Sequence, residues 1–269
     1  MAYTIYELAT MANAVYYWGQ TLVGDWKQHQ TYGNPSSDGF FAALYRCGTR
    51  SVLAYRGTDD AWDISPDSQI LLGEVPCQIP QAEQAWSRTS TYVGSARLVL
   101  TGHSLGGALA AMIAAKSGLP AVTFNAPGVA RSYAASFRLP LVKPGTLPVT
   151  PPTAPGMVAG AIALAKLDSS KIINIRASYD VVSLGTGPQL GRVETIPVAG
   201  CKKVEASKPK PLRRGELPSF DPVDLAIELG NAAAQVIAKS VTYVVCQHGM
   251  ELMEQQLRSM PEYNKDLGW

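Results

Sequence analysis

The sequence predicts an α/β fold in which a mostly parallel central sheet carries helices on both faces. Apolar runs of strand length alternate with segments of helix length, which is the pattern of parallel strands joined by crossover helices. The runs are short and bounded by turn-forming residues, as expected of buried strands. They comprise a hairpin over residues 39–57, whose second strand is 51–55, and strands at 97–101, 121–124 and 171–176.

Segments of helix length separate these strands. Near the N-terminus, Tyr3, Tyr6, Leu8 and Met11 recur at helical intervals and predict an amphipathic helix. Another segment opens with Pro80, a residue that suits the first turn of a helix. The further predicted helices cover residues 79–92, 105–116, 221–239 and 249–258.

The 269 residues fit one domain, so residues 1–269 are predicted to form a single α/β unit. Residues 131–167 form an insertion between two strands, and its proline-rich part, 139–157, is incompatible with regular structure. Two interpretations stay open for the insertion. It is either a packed surface excursion or a cap over a functional site, because loops at strand ends carry function in such sheets.

The composition excludes several classes of protein. Hydrophobic residues make up 46% and charged residues 16%, which suits a globular enzyme and not a disordered chain. The net charge of +2 is too small to indicate a nucleic-acid partner. The basic cluster at residues 202–214 contains Pro and Gly, which favours a solvated loop over a site for anionic phospholipid surfaces.

The cysteines and the N-terminus bear on chemistry and location. The cysteines Cys47, Cys77, Cys201 and Cys246 form no C-x-x-C pair, so metal binding is not expected, while their disulfide state stays open. We also predict no cofactor. The first 20 residues lack the basic region and continuous apolar segment of a signal peptide. We therefore expect synthesis in the cytoplasm, with any export following a route that needs no cleaved leader.

The strongest motif is Gly-His-Ser-Leu-Gly at residues 102–106, which matches G-x-S-x-G. It lies between a predicted strand and a predicted helix, where a sharp turn holds Ser104 in a strained conformation with its hydroxyl exposed above the sheet. The helix N-terminus at Ser104 also favours a developing oxyanion. The motif predicts that Ser104 is a nucleophile, whereas a Gly/Ser-rich helix start without chemistry is the alternative.

A nucleophilic serine needs a general base, and the chain has only three histidines. His103 adjoins Ser104, and neighbours in a tight turn point apart, so we expect it to pack behind the nucleophile. His29 precedes the serine in a polar stretch and is interpreted as an exposed loop histidine. A G-x-S-x-G serine of this kind is followed along the chain by the acid and then by the histidine, and His248 fits this order. The alternative for His248, a capping or core role, would leave the site without a base.

The acid that orients the base must lie between Ser104 and His248 in this chain order. Asp180 is the best candidate because it shortly follows a predicted strand, at the sheet edge where Ser104 lies. Asp168 precedes that strand and would lie at the opposite edge, and Asp221 and Asp224 suit a helix cap. The remaining candidates are Glu194, Glu205, Glu216 and Glu228.

Acyl transfer also requires two N–H donors for the tetrahedral oxygen. One is the backbone N–H of Leu105, directly after the nucleophile. The second is expected after an earlier strand, where Thr58 follows Tyr55-Arg56-Gly57. A simple strand-ending turn is the alternative interpretation of Thr58.

Together these motifs resemble those of the class 3 (fungal-type) lipases and the similar bacterial and plant phospholipases A1. The motifs are AYRGT, TGHSLGG, AVTFNAPGVA, the run Tyr-Asp-Val-Val at 179–182 and a late histidine, between residues 39 and 248. The resemblance implies an α/β-hydrolase fold and hydrolysis of lipid esters. It assigns Thr58 and Leu105 to the oxyanion hole, Ser104 as nucleophile, Asp180 as acid and His248 as base.

The sequence departs from the family pattern in three respects. Asp63 and Asp67 occupy the places of a polar pair that has a structural role in the family. The family often has Trp directly after the first of these positions, where this chain has Ile64. The region 59–80, which usually carries the lid, is short, so the insertion 131–167 is the other candidate cap. The lack of a leader also departs from the secreted fungal members. In this respect the chain resembles bacterial lipase effectors of type VI secretion, which often travel with an immunity protein.

Three functional hypotheses follow. The first is a lipase or phospholipase A1 that acts on lipids at a membrane or micelle surface. The second is a soluble short-chain carboxylesterase or thioesterase, which would prefer acetyl or butyryl esters. The third is a non-catalytic binding protein on a hydrolase scaffold, which the ordered Ser–Asp–His set argues against.

Overall fold

The computed structural model describes residues 3–17, 21–34, 36, 39–57, 76–94, 97–130, 133, 169–178, 180–198 and 249–269. Its strands are β1 (Leu22–Val23), β2 (Trp26–Tyr32), β3 (Ala42–Cys47), β4 (Arg50–Tyr55), β5 (Leu98–His103), β6 (Ala121–Phe124), β7 (Ile172–Ala177) and β8 (Arg192–Ile196). The helices are α1 (Ile5–Ala14), α2 (Ile79–Val93), α3 (Leu105–Ser117), α4 (Val181–Gly185) and α5 (Met250–Arg258), followed by a 3₁₀ turn at Pro261–Asn264.

These strands form one sheet in the order β1 to β8. From β1 to β4 neighbouring strands are antiparallel, and from β4 to β8 they are parallel. In the parallel part Tyr55 pairs with Gly102, His103 with Phe124, and Phe124 with Ile175. The C-terminal ends of β4 to β7 therefore lie along one edge of the sheet, which is where open α/β sheets carry their sites.

Helices cover both faces of the sheet, because successive side chains of a strand point to opposite faces. Along β4, Val52 and Ala54 belong to the core under α1 and α5, whereas Leu53 and Tyr55 belong to the core under α2 and α3. All four are fully buried. The predicted α/β fold with helices on both faces is confirmed.

Most of the predicted elements that can be compared are confirmed within one to three residues. The hairpin, the strands β5, β6 and β7 and the helices α2, α3 and α5 lie where the patterns predict them. The predicted helix 221–239 lies outside the described residues. So do the region 58–75 and, apart from Tyr133, the insertion 131–167.

Two details of the N-terminal region differ from prediction. His29 is exposed, as expected, but it lies in strand β2 and not in a loop. Tyr3 precedes α1, because the Thr4 side chain and Glu7 form a capping box that starts the helix after it. Tyr3 is nevertheless buried, and its hydroxyl donates to the carbonyl oxygen of Arg97 at 2.7 Å.

Three properties of the described residues complete the fold. None of their helices is long and apolar enough to cross a bilayer. They also contain no group of three or more His, Cys, Asp or Glu side chains that could hold a metal ion. Cys47 and Cys77 are in no disulfide, whereas Cys201 and Cys246 lie outside the described part of the chain.

Candidate active site

Ser104 occupies a strained turn between β5 and α3. Its backbone angles are φ 54° and ψ −128°, in a region that non-glycine residues rarely adopt. Two backbone hydrogen bonds hold the turn. The Ser104 amide donates to the Phe124 carbonyl oxygen at 3.0 Å, and the Ala108 amide donates to the Ser104 carbonyl oxygen at 3.1 Å. The Ser104 side chain makes no capping hydrogen bond to α3, so helix capping does not explain the presence of a hydroxyl here.

The glycines around Ser104 are required by close backbone approach. A Cβ at Gly106 would overlap the carbonyl oxygen of Tyr55 in β4. A Cβ at Gly102 would overlap the backbone of Gly106 and come within 2.8 Å of the Gly107 nitrogen. Real Cβ atoms do not approach other heavy atoms so closely, so only glycine allows α3 to start this close to the sheet.

One of the two proposed oxyanion donors, the backbone N–H of Leu105, lies directly after the nucleophile. Leu105 is the first residue of α3, where backbone N–H groups have no partner within the helix. The end of β4 lies against the nucleophile, since a Cβ on Gly57 would come within 3.2 Å of the Ser104 Cβ. Thr58, the next residue, lies outside the described part of the chain, and its role stays a prediction.

Asp180 lies at the same sheet edge as Ser104. It follows β7 by three residues, is fully buried, and its carboxylate accepts a hydrogen bond from the Ser183 amide at 2.9 Å. Because β6 lies between β5 and β7, the ends of these two strands are separated by about two strand spacings, roughly 10 Å.

Asn125 is a residue whose role the sequence reasoning missed. It directly follows β6, is fully buried and adopts a left-handed conformation with φ 45°, which Asn tolerates better than most residues. Its amide donates to Ile175 at 2.9 Å, and its side-chain oxygen accepts the Ala177 amide at 2.8 Å. The Ala177 carbonyl in turn accepts the Asp180 amide at 3.2 Å. Asn125 therefore fixes the chain that leads to Asp180, and an Asn directly after a buried strand was the available signal.

The three histidines are placed differently. His103 is buried, and its Nδ1 lies 3.0 Å from the Tyr16 hydroxyl, so it packs behind the nucleophile as predicted. His29 projects from β2 into solvent. His248 lies outside the described residues, and its assignment as base stays a prediction.

The chain that follows His248 is nevertheless anchored beside the site. Helix α5 begins two residues later and packs on α1. The Tyr17 hydroxyl donates to Glu251 at 2.6 Å, and Asn13 donates to Glu254 at 2.7 Å. Because Tyr17 adjoins Tyr16, whose hydroxyl contacts His103, the first turn of α5 is tied to the same end of α1 that contacts the nucleophile turn.

The sheet order and the strained serine between strand and helix define an α/β-hydrolase fold. Residues 20–141 match the family model of the Tle-like phospholipase domain. This match includes β1 to β6, the nucleophile turn and α3. The resemblance to lipases and phospholipases that the motifs predict is therefore confirmed over this part of the chain.

Individual relatives agree with the family match. An extracellular phospholipase A1 of Serratia liquefaciens is 42% identical over 94 residues, which is 35% of this chain and 29% of that protein. A putative lipase ATG15 of Eremothecium gossypii is 55% identical over 53 residues, 20% of this chain and 9% of that protein. The chain thus aligns with less than a third of either relative.

Among solved structures, the chain is similar to a triacylglycerol lipase from Penicillium expansum. The identity is 14%, the match covers 72% of this chain and 79% of that chain, and the TM-score is 0.44.

Proposed function

We propose that this chain is a serine hydrolase that cleaves carboxylic esters of lipids, as a lipase or phospholipase A1. The observation that carries the proposal is the strained backbone of Ser104, which lies between glycines that the close packing requires. The Ser104 hydroxyl makes no capping hydrogen bond, so capping does not explain why a serine stands here. Strain of this kind persists only where the surrounding structure imposes it, and it is concentrated at functional sites. The roles of Asp180, His248, Leu105 and Thr58 are part of the same proposal.

In the proposed reaction the Ser104 Oγ attacks the ester carbonyl carbon while His248 accepts the hydroxyl proton. The N–H groups of Leu105 and Thr58 stabilise the oxyanion. The intermediate collapses, the ester C–O bond breaks, and His248 gives its proton to the leaving alcohol. Water then attacks the acyl-enzyme in the same way, which releases the fatty acid and restores Ser104. Asp180 holds the imidazole in the required tautomer and stabilises its cationic form.

The lipid substrate is supported by the similarity of residues 20–141 to a phospholipase domain and by the Serratia phospholipase A1. We expect incubation with mixed vesicles and emulsions to release free fatty acid and lysophospholipid, with the products identified by mass spectrometry. Faster turnover above the critical micelle concentration would distinguish this activity from that of a soluble esterase.

Two outcomes of this experiment would contradict the lipid assignment. Turnover confined to acetyl or butyryl esters would indicate the short-chain carboxylesterase or thioesterase. A protein that turns over no ester and takes up no fluorophosphonate probe would indicate the non-catalytic binding protein.

We further propose that the chain acts outside its producing cell, as a type VI secretion effector accompanied by an immunity protein. The relative named as extracellular supports the action outside the cell, whereas the type VI route and the immunity protein rest on the family resemblance of the sequence. We expect the protein to reduce viability when a fused leader directs it to the periplasm of a test bacterium, where it would contact phospholipids of the bacterial envelope from outside the cytoplasm. The Ser104→Ala protein, directed in the same way, is the control. Equal tolerance of both proteins at equal abundance would contradict the proposal.

A further inference from the structure

The Tyr16 hydroxyl joins the two chain segments that border the nucleophile. It accepts a hydrogen bond from the Gly57 amide at 3.1 Å, directly after β4. It also lies 3.0 Å from His103 Nδ1 and 3.5 Å from the His103 carbonyl oxygen, directly before Ser104. One side chain that shortly follows α1 therefore contacts both the strand end that precedes Thr58 and the turn that carries the nucleophile.

We call the contact of the Tyr16 hydroxyl with Gly57 and His103 the junction, and its hydrogen bonds hold it in place. Burial raises the pKa of the Tyr16 phenol far above its usual value, so the group keeps its proton. The oxygen accepts the Gly57 N–H in every case. It then either donates to His103 Nδ1, or accepts from it and donates to the His103 carbonyl, depending on the imidazole tautomer. In both arrangements the Gly57 amide and His103 form hydrogen bonds to the same atom, the hydroxyl oxygen of Tyr16.

The junction has no spare room. A Cβ on Gly57 would overlap the Tyr16 hydroxyl and come within 2.7 Å of the His103 carbonyl oxygen. The rings of Tyr16 and His103 also pack edge to face, with centroids 5.8 Å apart. The end of β4 and the nucleophile turn are therefore held in contact at a defined distance, and the hydroxyl is the polar group between them.

We propose that Tyr16 is a positioning residue that sets the oxyanion side of the active site. It fixes the chain at Gly57 relative to Ser104, so that the N–H donor expected at the next residue is aligned before substrate binds. Donors held in advance stabilise the transition state because they do not have to reorganise during the reaction. Tyr16 acts through Gly57 and His103 and does not contact the substrate. This inference rests on the proposed function.

The test compares Tyr16→Phe with Tyr3→Phe. Tyr3 is a matched control, because its hydroxyl accepts the Ser51 amide at 3.1 Å, at the opposite end of the same strand. We expect Tyr16→Phe to lower kcat about 10- to 100-fold with KM changed less than about twofold, since small misplacements of catalytic groups have effects of this size. Tyr3→Phe should keep the kcat of the wild type, even if its melting temperature falls by as much as that of Tyr16→Phe.

A second measurement separates positioning from general loosening of the fold. An alkyl trifluoromethyl ketone forms a tetrahedral adduct with a nucleophilic serine and uses the same oxyanion donors. Its affinity should weaken in Tyr16→Phe by the same factor as kcat/KM, and it should be unchanged in Tyr3→Phe. Unchanged inhibitor affinity, an unchanged kcat or equal kcat losses in both variants would overturn the inference.

If Tyr16→Phe does not fold, His103→Leu tests the same junction from the other side. It removes the imidazole partner of the hydroxyl and leaves the His103 carbonyl oxygen, so we expect a smaller loss of kcat in the same direction. Unchanged kcat and unchanged inhibitor affinity in that variant would overturn the inference as well. A wild-type protein that hydrolyses no ester would instead contradict the proposed function, so the two failures are distinguishable.

Discussion

Replacing Ser104 with alanine is expected to abolish ester hydrolysis in a protein that stays folded. The substitution removes the only atom that forms the acyl bond, and loss of a serine nucleophile lowers kcat by about 10⁶-fold in enzymes of this mechanism. Stability should change little, because the Ser104 side chain makes no capping hydrogen bond to α3. Hydrolysis of p-nitrophenyl esters and labelling by a fluorophosphonate probe measure the loss, and urea unfolding measures stability.

Ser117→Ala is the matched control, since Ser117 lies at the other end of the same helix. Its hydroxyl accepts the Leu119 amide at 3.3 Å, away from the sheet edge that carries the site. This variant should keep the kcat of the wild type. If Ser104→Ala retained hydrolysis or probe labelling at the level of Ser117→Ala, Ser104 could not be the nucleophile.

The part of the fold that carries the site could be predicted because its strands are short, apolar and fully buried. In β5 and β6 every residue is buried, and each run is bounded by residues that favour turns. The α3 helix was predictable from both ends, since it follows the nucleophile turn and ends at Gly118 in the left-handed conformation.

The strands near both edges of the sheet were harder to predict. Strand β2 reads WKQHQTY, with only Trp26 and Tyr32 buried, so it has neither an apolar run nor regular alternation. It is a strand because its backbone pairs with β3, which depends on partners elsewhere in the chain. Strand β8 buries only Ile196 of its five residues, and α4 is too short to show a helical period.

Some residues of the candidate site could likewise be predicted from the sequence, and others could not. Ser104, Leu105 and Asp180 could be placed from the sequence, because each directly or closely follows a predicted strand on one sheet edge. Asn125 and Tyr16 were not assigned a role, since their contacts join segments that are distant in sequence, such as Tyr16 with His103, 87 positions apart. No local pattern encodes such a contact. Thr58 and His248 lie outside the described residues, so their roles still rest on chain order and motif.

Replacing Asp180 with asparagine is expected to lower kcat by about 10³- to 10⁴-fold while KM changes little. The amide cannot hold the imidazole in the required tautomer or stabilise its cation, and these are the two roles of the acid. Folding should be largely preserved, because the asparagine side-chain oxygen can still accept the Ser183 amide that Asp180 binds at 2.9 Å. Steady-state kinetics on one soluble ester, with circular dichroism for folding, measure both expectations.

The competing acids provide the controls for this substitution. Asp168→Asn, Asp221→Asn and Asp224→Asn each remove one of the other aspartates that lie between the nucleophile and His248 in the sequence. Each should retain more than about a third of the wild-type kcat, because a carboxylate that is not the acid takes no part in the proposed reaction. If one of them lost activity by 10³-fold or more while Asp180→Asn stayed active, the acid would be that residue. The buried carboxylate at position 180 would then serve to cap α4, since its hydrogen bond to Ser183 is the bond that such a cap makes.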